Sequence, residues 1–485
     1  MKSPRSTDSQ RDRAQAAAAS TGASRSAPAL PRGPQALPRE EVAANQRERL
    51  FAAMIQSVDE RGFVASTISD LVERAGVSRR TFYEHFDNKE QCLLATYDLI
   101  FAELVTGIGN VDTSSQDWLS QIEAVMKAIF AITVQRPDAA RLVCVELAAA
   151  GPPGIERWAQ GGAMLAQLIA HDLHPGGPTA AARTAGREGC VPDPIARAIV
   201  GALRNILFAR VRRKRSPRAL RTQLAKVLPE LVAWVGSYYP SPAPVPQQPP
   251  ARPFTPLSGG RAPGTLSLSP SWSAKGLPRG EHNLPRGFVA HNQRERIFDA
   301  IAKRTAADGY RDLGLEDIAA EAAVSLQTFY QHFENKEEAF LATYEVGHAK
   351  TIAAVRSSLD LRRDWTANVK LGVRALLEFL ASEPAFAHLA CVDILIAYPH
   401  VASRLDEANW SFAELLDLRV GAAAPSRMPS TVVGEAIVGG IFELVHDYIL
   451  QGRTASLPEL TEHATYIALA PLIGADAAWA AASDG

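Results

Sequence analysis

Residues Leu37–Tyr97 and Leu284–Tyr344 are two versions of one sequence, set 247 positions apart, and about 29 of the 61 ungapped positions are identical. The first contains SDLVERAGVSRRTFYEHFDNKE and the second EDIAAEAAVSLQTFYQHFENKE. A repeat of this length is a duplicated domain and not a solenoid unit, so the chain must build the same fold twice. The correspondence continues beyond it: Trp118 matches Trp365, Pro137 matches Pro384, Cys144 matches Cys391, Pro152 matches Pro399 and Arg157 matches Arg404. Near the end AIVGAL (Ala198–Leu203) matches AIVGGI (Ala436–Ile441) at a reduced offset of 238, so the first copy carries about nine extra residues. The Gly/Ala/Pro loop Pro175–Pro192 is the simplest place for them.

At 485 residues the chain is too long for one core. Residues 1–36 are rich in Ser, Ala, Arg and Pro and read as a disordered tail. Residues 240–283, with PSPAPVPQQPPARPFTP, read as an extended Pro-rich linker. Between them lie a first head (37–97), a first body (98–239), a second head (284–344) and a second body (345–474), with 475–485 left as a tail. Apolar residues recur at three- and four-residue spacing throughout both copies, which predicts an all-α chain. In the bodies this gives helices at Trp118–Gln135, Asp138–Ala149, Gly154–Leu173, Pro194–Arg213 and Pro217–Tyr238. The second body repeats them at Trp365–Ser382, Ala385–Ala397, His400–Val420, Ser430–Gln451 and Leu457–Ile473.

Each head reads as three helices. The amphipathic NQRERLFAAMIQSVDERG stops at Gly62, Thr67 caps a second helix with Asp70 in the capping-box position, and Ser78 caps a third, RRTFYEHF. Two short helices joined across Gly76 fit a helix-turn-helix, whose third helix enters the major groove of DNA. Arg79 and Arg80 are placed to read guanine, while Thr81, Tyr83 and His85 are candidates for phosphate contacts. Lys89 opens the next helix as a candidate phosphate clamp, and Arg47, Thr67 and Ser78 complete the first set. The second set is Arg294, Ser325, Leu326, Gln327, Thr328, Tyr330, His332 and Lys336. Phe82, Phe86, Phe329 and Phe333 are expected to pack the heads' cores.

The string GVSRRTFYEHFDNKE resembles the signature of the tetracycline-repressor (TetR) family of bacterial transcription regulators, specifically over both heads and more loosely over both bodies. The resemblance implies two tandem units, each a helix-turn-helix head on a helical ligand-binding and dimerisation body. It also implies a repressor that a small molecule releases from double-stranded DNA. Most members have one copy and dimerise. Here the expected arrangement is a pseudo-dimer within one chain, with a homodimer of chains as the alternative.

The heads differ where bases are read. Arg79-Arg80 becomes Leu326-Gln327, a pair suited to thymine methyl and adenine, so the expected operator has two unlike half-sites. The alternative is that only the first head binds DNA and the second copy is a sensor or dimerisation module. Glu316, Asp317, Glu321, Glu337 and Glu338 add acid to that head and favour this alternative.

In the bodies, Glu146 with Arg157 and Asp393 with Arg404 are candidate ligand contacts or, more simply, intrachain ion pairs. Cys144 and Cys391 read as apolar fillers, and His171, His388 and His446 as isolated structural histidines. No Gly-rich phosphate loop, nucleophile elbow, metal triad or catalytic carboxylate pair is present, which argues against an enzyme, a cofactor or a metal. The four cysteines lack metal or disulfide spacing, no run of 18 apolar residues suggests a membrane span, and a cytoplasmic protein is expected. A net charge of −1 confines any DNA contact to local basic surface.

Overall fold

The computed structural model describes residues 38–111, 117–172, 191–213, 216–238, 286–360, 362–397, 412 and 430–484. These residues are helical, with no strand among them. The N-terminal tail, the linker, most of the Pro175–Pro192 loop, the helix expected at His400–Val420 and Arg404 lie outside the described residues. Both copies of the repeated sequence build α-helical structure. The compact units of the chain divide differently. Unit 1 holds Met1–Val111, Val125–Leu147 and Arg210–Ala225, and unit 2 holds Asp112–Ala124, Ala148–Ala209 and Lys226–Gly485. Much of the first body therefore belongs to the same compact unit as the whole second copy.

In the first head, α1 (Arg39–Arg61) stops at Gly62, whose φ of 78° no β-carbon favours. Helix α2 (Ile68–Ala75) starts from a complete capping box between Thr67 and Asp70. Helix α3 (Arg79–His85) starts at Ser78, which accepts from the Thr81 N–H, and α4 (Lys89–Gly109) at Asn88, which accepts from Gln91. Leu50, Met54, Val58, Phe63, Leu71, Phe82, Phe86 and Leu93 are buried. Each such large side chain contributes about 1.5–3 kcal/mol by leaving water. By length and composition α4 could cross a membrane, because its mean hydropathy is high although charges interrupt it. Cys92, Leu93, Thr96 and Tyr97 are buried in it.

The second head repeats this with α10 (Arg286–Asp308), α11 (Leu315–Glu321), α12 (Leu326–His332) and α13 (Lys336–Ser358). Two local devices are lost. Gly314 stands where Thr67 did, so α11 has no side-chain cap. The left-handed residue that turns α2 into α3 is Gly76 at φ 60° in the first head, and Ala323 at φ 49° in the second.

In the first body, α5 (Trp118–Gln135) is followed by α6 (Pro137–Arg141), α7 (Pro152–Gln167), α8 (Asp193–Val211) and α9 (Pro217–Gly236). In the second, α14 (Trp365–Ser382) is followed by α15 (Pro384–His388), α16 (Ile394–Ile396), α17 (Thr431–Leu450), α18 (Thr461–Ile473) and α19 (Ala475–Ser483). The expected continuous helices Asp138–Ala149 and Ala385–Ala397 are interrupted in both copies at the same place. A π-turn runs over Leu142–Glu146 and another over Leu389–Asp393. One wide turn leaves the three- to four-residue apolar spacing almost unchanged, so sequence pattern misses it. The expected tail 475–485 is instead mostly α19. Alanine-rich sequence resumes a helix after Gly474 (φ 85°), buries Ala478 and Ala482, and lays Trp479 edge-on against Tyr466 at 5.5 Å.

Within unit 2, α8 of the first copy meets α17 of the second at backbone distance. A β-carbon on Gly201 would lie 2.5 Å from the Gly439 carbonyl oxygen, and one on Gly439 2.6 Å from the Asn205 β-carbon. Only glycine fits there. Nearby, the buried Tyr238 hydroxyl donates to the Ile467 carbonyl at 2.8 Å. His446, also buried, makes a 2.7 Å bond from Nδ1 to the Cys391 carbonyl and stands edge-on to Trp158 at 4.9 Å.

Two outcomes follow from this packing. Ala323→Gly should stabilise the second head by about 1 kcal/mol and Gly76→Ala should cost the first about as much, read by chemical denaturation. Burial of His446 lowers its pKa from 6.5 to about 4. A depressed folded pKa means that the unfolded chain binds the proton first, so stability present above pH 6.5 is lost as pH falls towards 4. The loss should reach about 3 kcal/mol, and His446→Gln should flatten that slope of Tm against pH.

Candidate nucleic-acid interface

The outer face of each head is set by its third helix. Tyr83 is 48% exposed and Tyr330 55%, so neither is a core tyrosine. Beneath them Phe82 and Phe329 are buried, each meeting its neighbouring tyrosine ring edge-on at 5.6 and 5.8 Å. The alternation arises because consecutive helical positions point about 100° apart, so an anchored Phe turns the next residue outward. Arg79 is exposed, and Arg80 is exposed with a 3.2 Å contact to Glu84 one turn on. Such a surface pair is worth only a few tenths of a kcal/mol and yields readily to a phosphate or a base. Leu326 and Gln327 are exposed at the matching positions.

Several candidates also have structural duties. Thr67 is part of the capping box, its hydroxyl donating to Asp70 at 2.7 Å. Those bonds hold the Asp70 carboxyl below its usual pKa. The Ser78 and Thr81 hydroxyls lie 2.8 Å apart, and those of Ser325 and Thr328 2.9 Å apart. His85 sits 3.2 Å from Gln46 through Nε2, and His332 the same distance from Gln293. Partial burial, with the nearby Arg47 or Arg294, lowers the pKa of both histidines. Arg47 extends over the Phe51 and Phe86 rings at 5.7 Å, and Arg294 over Phe298 and Phe333 at 5.6 and 5.2 Å.

Lys89 stands differently from a free clamp. Its ammonium donates to the carbonyls of Phe63, Val64 and Ser66 at 3.2, 3.2 and 3.0 Å and lies 4.6 Å from the Phe63 ring. Lys336 donates to the carbonyls of Arg311 and Leu313 at 3.4 and 3.2 Å. In both heads the lysine donates to backbone carbonyls of the turn between the first two helices.

The same turn is held from the body side. Glu146, at the end of the π-turn, accepts from the Phe63 N–H at 3.0 Å and from Arg141 at 2.8 Å. Asp393 accepts from the Tyr310 N–H at 3.1 Å and lies 2.6 Å from His388 Nδ1. Both carboxylates are almost completely buried. The basic partner seen for Glu146 is Arg141, not the expected Arg157, and that seen for Asp393 is His388, each five residues upstream across the π-turn, while Arg404 lies outside the described residues. Arg157 is exposed, with Gln160 at 3.5 Å. Sequence reasoning missed Gln46, Gln293 and Arg141, although the glutamines lie inside the NQRER string common to both copies.

Residues 50–96 and 297–343 each match the family described as bacterial regulatory proteins, tetR family. An HTH-type transcriptional activator, FasR, from Mycolicibacterium smegmatis is 29% identical over 136 residues, which cover 28% of this chain and 60% of that protein. An uncharacterized HTH-type transcriptional regulator, YvdT, from Bacillus subtilis is 25% identical over 91 residues, covering 19% of this chain and 47% of that protein. The chain thus spans about half the length of these curated relatives. Among solved structures, the fatty acid degradation regulator FadR from Bacillus halodurans aligns at 19% identity and TM-score 0.30, over 38% of this chain and 94% of that one.

Removing the buried carboxylates should separate the two turns by cost. Glu146→Ala strands Arg141 and the Phe63 N–H and should lose about 3–5 kcal/mol of unit 1 stability. Asp393→Ala leaves the Tyr310 N–H and a part-exposed His388 without this acceptor, and should lose about 1–3 kcal/mol. Urea denaturation measures both, and equal small losses would show that the ties carry little.

Proposed function

The chain belongs to the tetR family of bacterial regulatory proteins, carrying its DNA-binding domain twice, and on that basis we propose that its two heads read one non-palindromic operator. It is a DNA-binding transcriptional regulator. The observation that carries the finer reading is the difference between the exposed first turns of α3 and α12. Arg79-Arg80 faces outward in one and Leu326-Gln327 in the other, above the same Ser, Thr, Tyr and Lys framework. Two arginines suit guanine-bearing steps, while leucine and glutamine suit A·T-bearing ones. A single chain with both heads then replaces the symmetric dimer. The tie between α8 and α17 supports this pseudo-dimer, since much of the first body already shares a compact unit with the second copy.

The bodies are the place for a small-molecule effector. Glu146 and Asp393 supply a route from body to head, because each holds the backbone of a head's first turn from a π-turn in the body. An effector that shifts the π-turn releases that backbone and with it the angle of the recognition helix. We take the sign of regulation to be repression, as steric exclusion from an overlapping promoter. The M. smegmatis relative is named an activator, so the position of the operator decides the sign.

A second reading has its own support. The second head lacks the capping box, places Ala323 in the left-handed region and carries the acidic residues, all consistent with a head released from DNA work. Footprinting on DNA from upstream of the chain's own gene, with Tyr83→Ala and Tyr330→Ala compared, distinguishes the readings. Two working heads predict that each variant weakens binding about 10-fold or more and thins its own half of the footprint. A Tyr330→Ala variant that binds like the parent would leave only the first head on DNA. Arg79→Ala should in addition relax preference in one half-site alone, by about 1–3 kcal/mol.

A further inference from the structure

The junction of α8 and α17 is not charge-neutral on each side. Helix α8 carries Arg197, Arg204 and Arg210 against Asp193, whereas α17 carries Glu435, Glu443 and Asp447 with no lysine or arginine. The charges meet. Arg204 Nη1 lies 2.9 Å from Glu443 Oε1 with the two side chains 16% and 11% exposed, and Arg197 Nη1 lies 3.3 Å from Asp447 Oδ1. Arg204 also stacks 3.9 Å from the centre of the Trp158 ring and donates to the Trp158 carbonyl. Asn205 donates to the Glu435 carbonyl at 2.9 Å.

The internal repeat shows what each copy would meet if it paired with its own kind. Aligning AIVGAL with AIVGGI sets Arg197 against Glu435, Arg204 against Phe442, Asn205 against Glu443 and Ala209 against Asp447. In a pairing of second copies, Glu443 is buried against a phenyl ring and Asp447 faces another carboxylate. In a pairing of first copies, Arg204 faces an amide and Arg197 a methyl group. An uncompensated buried charge is among the costliest defects a packed junction can hold, and like charges across it act as repulsion against the wrong partner.

We propose that the two copies have become obligate mates: the cationic α8 surface takes the anionic α17 surface and refuses a second copy of itself. This rests on the pseudo-dimer reading and goes beyond it. It explains how a duplicated dimerisation surface avoids linking chains into symmetric dimers through like bodies. Tethering, which raises the local concentration to about millimolar, then closes the junction within one chain.

The test is a charge-swap cycle in the full-length chain with Arg204→Glu, Glu443→Lys and the double variant. The expected parent is a single species near 52.2 kDa. Either single variant should lose about 10 °C in Tm, and the double variant should recover at least half of the loss. Should the buried swap fail to fold, the same cycle with Arg197→Glu and Asp447→Lys reads the coupling at the more exposed pair. Single variants that melt like the parent, or a double variant no better than the worse single, would overturn the proposal. Mixing the two single variants distinguishes its failure from that of the single-chain reading. If the junction closes between chains, the mixture forms one native and one charge-reversed pair and recovers stability as a species of about 104 kDa, twice the chain mass. The charge assignment then stands while the single-chain pseudo-dimer falls. If the junction closes within a chain, mixing recovers nothing.

Discussion

The contact on which the two-copy architecture depends is the approach of two helix backbones at Gly201 and Gly439. With a β-carbon on Gly201 only 2.5 Å from a carbonyl oxygen, any other residue would hold α8 and α17 apart. That separation would break Arg204 from Glu443, Asn205 from the Glu435 carbonyl and Arg197 from Asp447. These pairs are sheltered from water, so distance matters more to them than it would at a surface. The small residues come first and the charges second: close packing creates a dry junction, and a dry junction tolerates only matched charges.

A different economy rules the heads. Each is a small core of phenylalanines under an exposed third helix, and the turn between its first two helices is held from two sides. Lys89 and Lys336 gather its carbonyls, and Glu146 and Asp393 take its first N–H. Both copies keep this arrangement while changing its chemistry, with Arg141 supporting one carboxylate and His388 the other. The duplication thus preserved the geometry that sets the third helix and let its outward residues diverge.

The heads were legible in the sequence because their signals are local. Thr67 with Asp70, Ser78 and Gly76 each act within a few residues, and the structure places them as caps and turn where those rules put them. The fold class followed from apolar periodicity for the same reason. What escaped were features that depend on distant partners or on small changes of register. The π-turns keep the apolar spacing, so the pattern gives no sign that the basic partner of Glu146 is Arg141, five residues upstream. Lys89 carries no mark in the sequence of the three carbonyls it serves, and nothing near α19 in the sequence shows that Trp479 meets Tyr466.

The most direct test of the account is the stoichiometry of the regulator on its operator, measured by native mass spectrometry on a duplex from upstream of its own gene. One chain of 52.2 kDa per duplex, protecting two half-sites of unlike sequence, is the predicted result. Two chains per duplex on a palindromic site would contradict it, since the heads would then be working as identical pairs from separate chains.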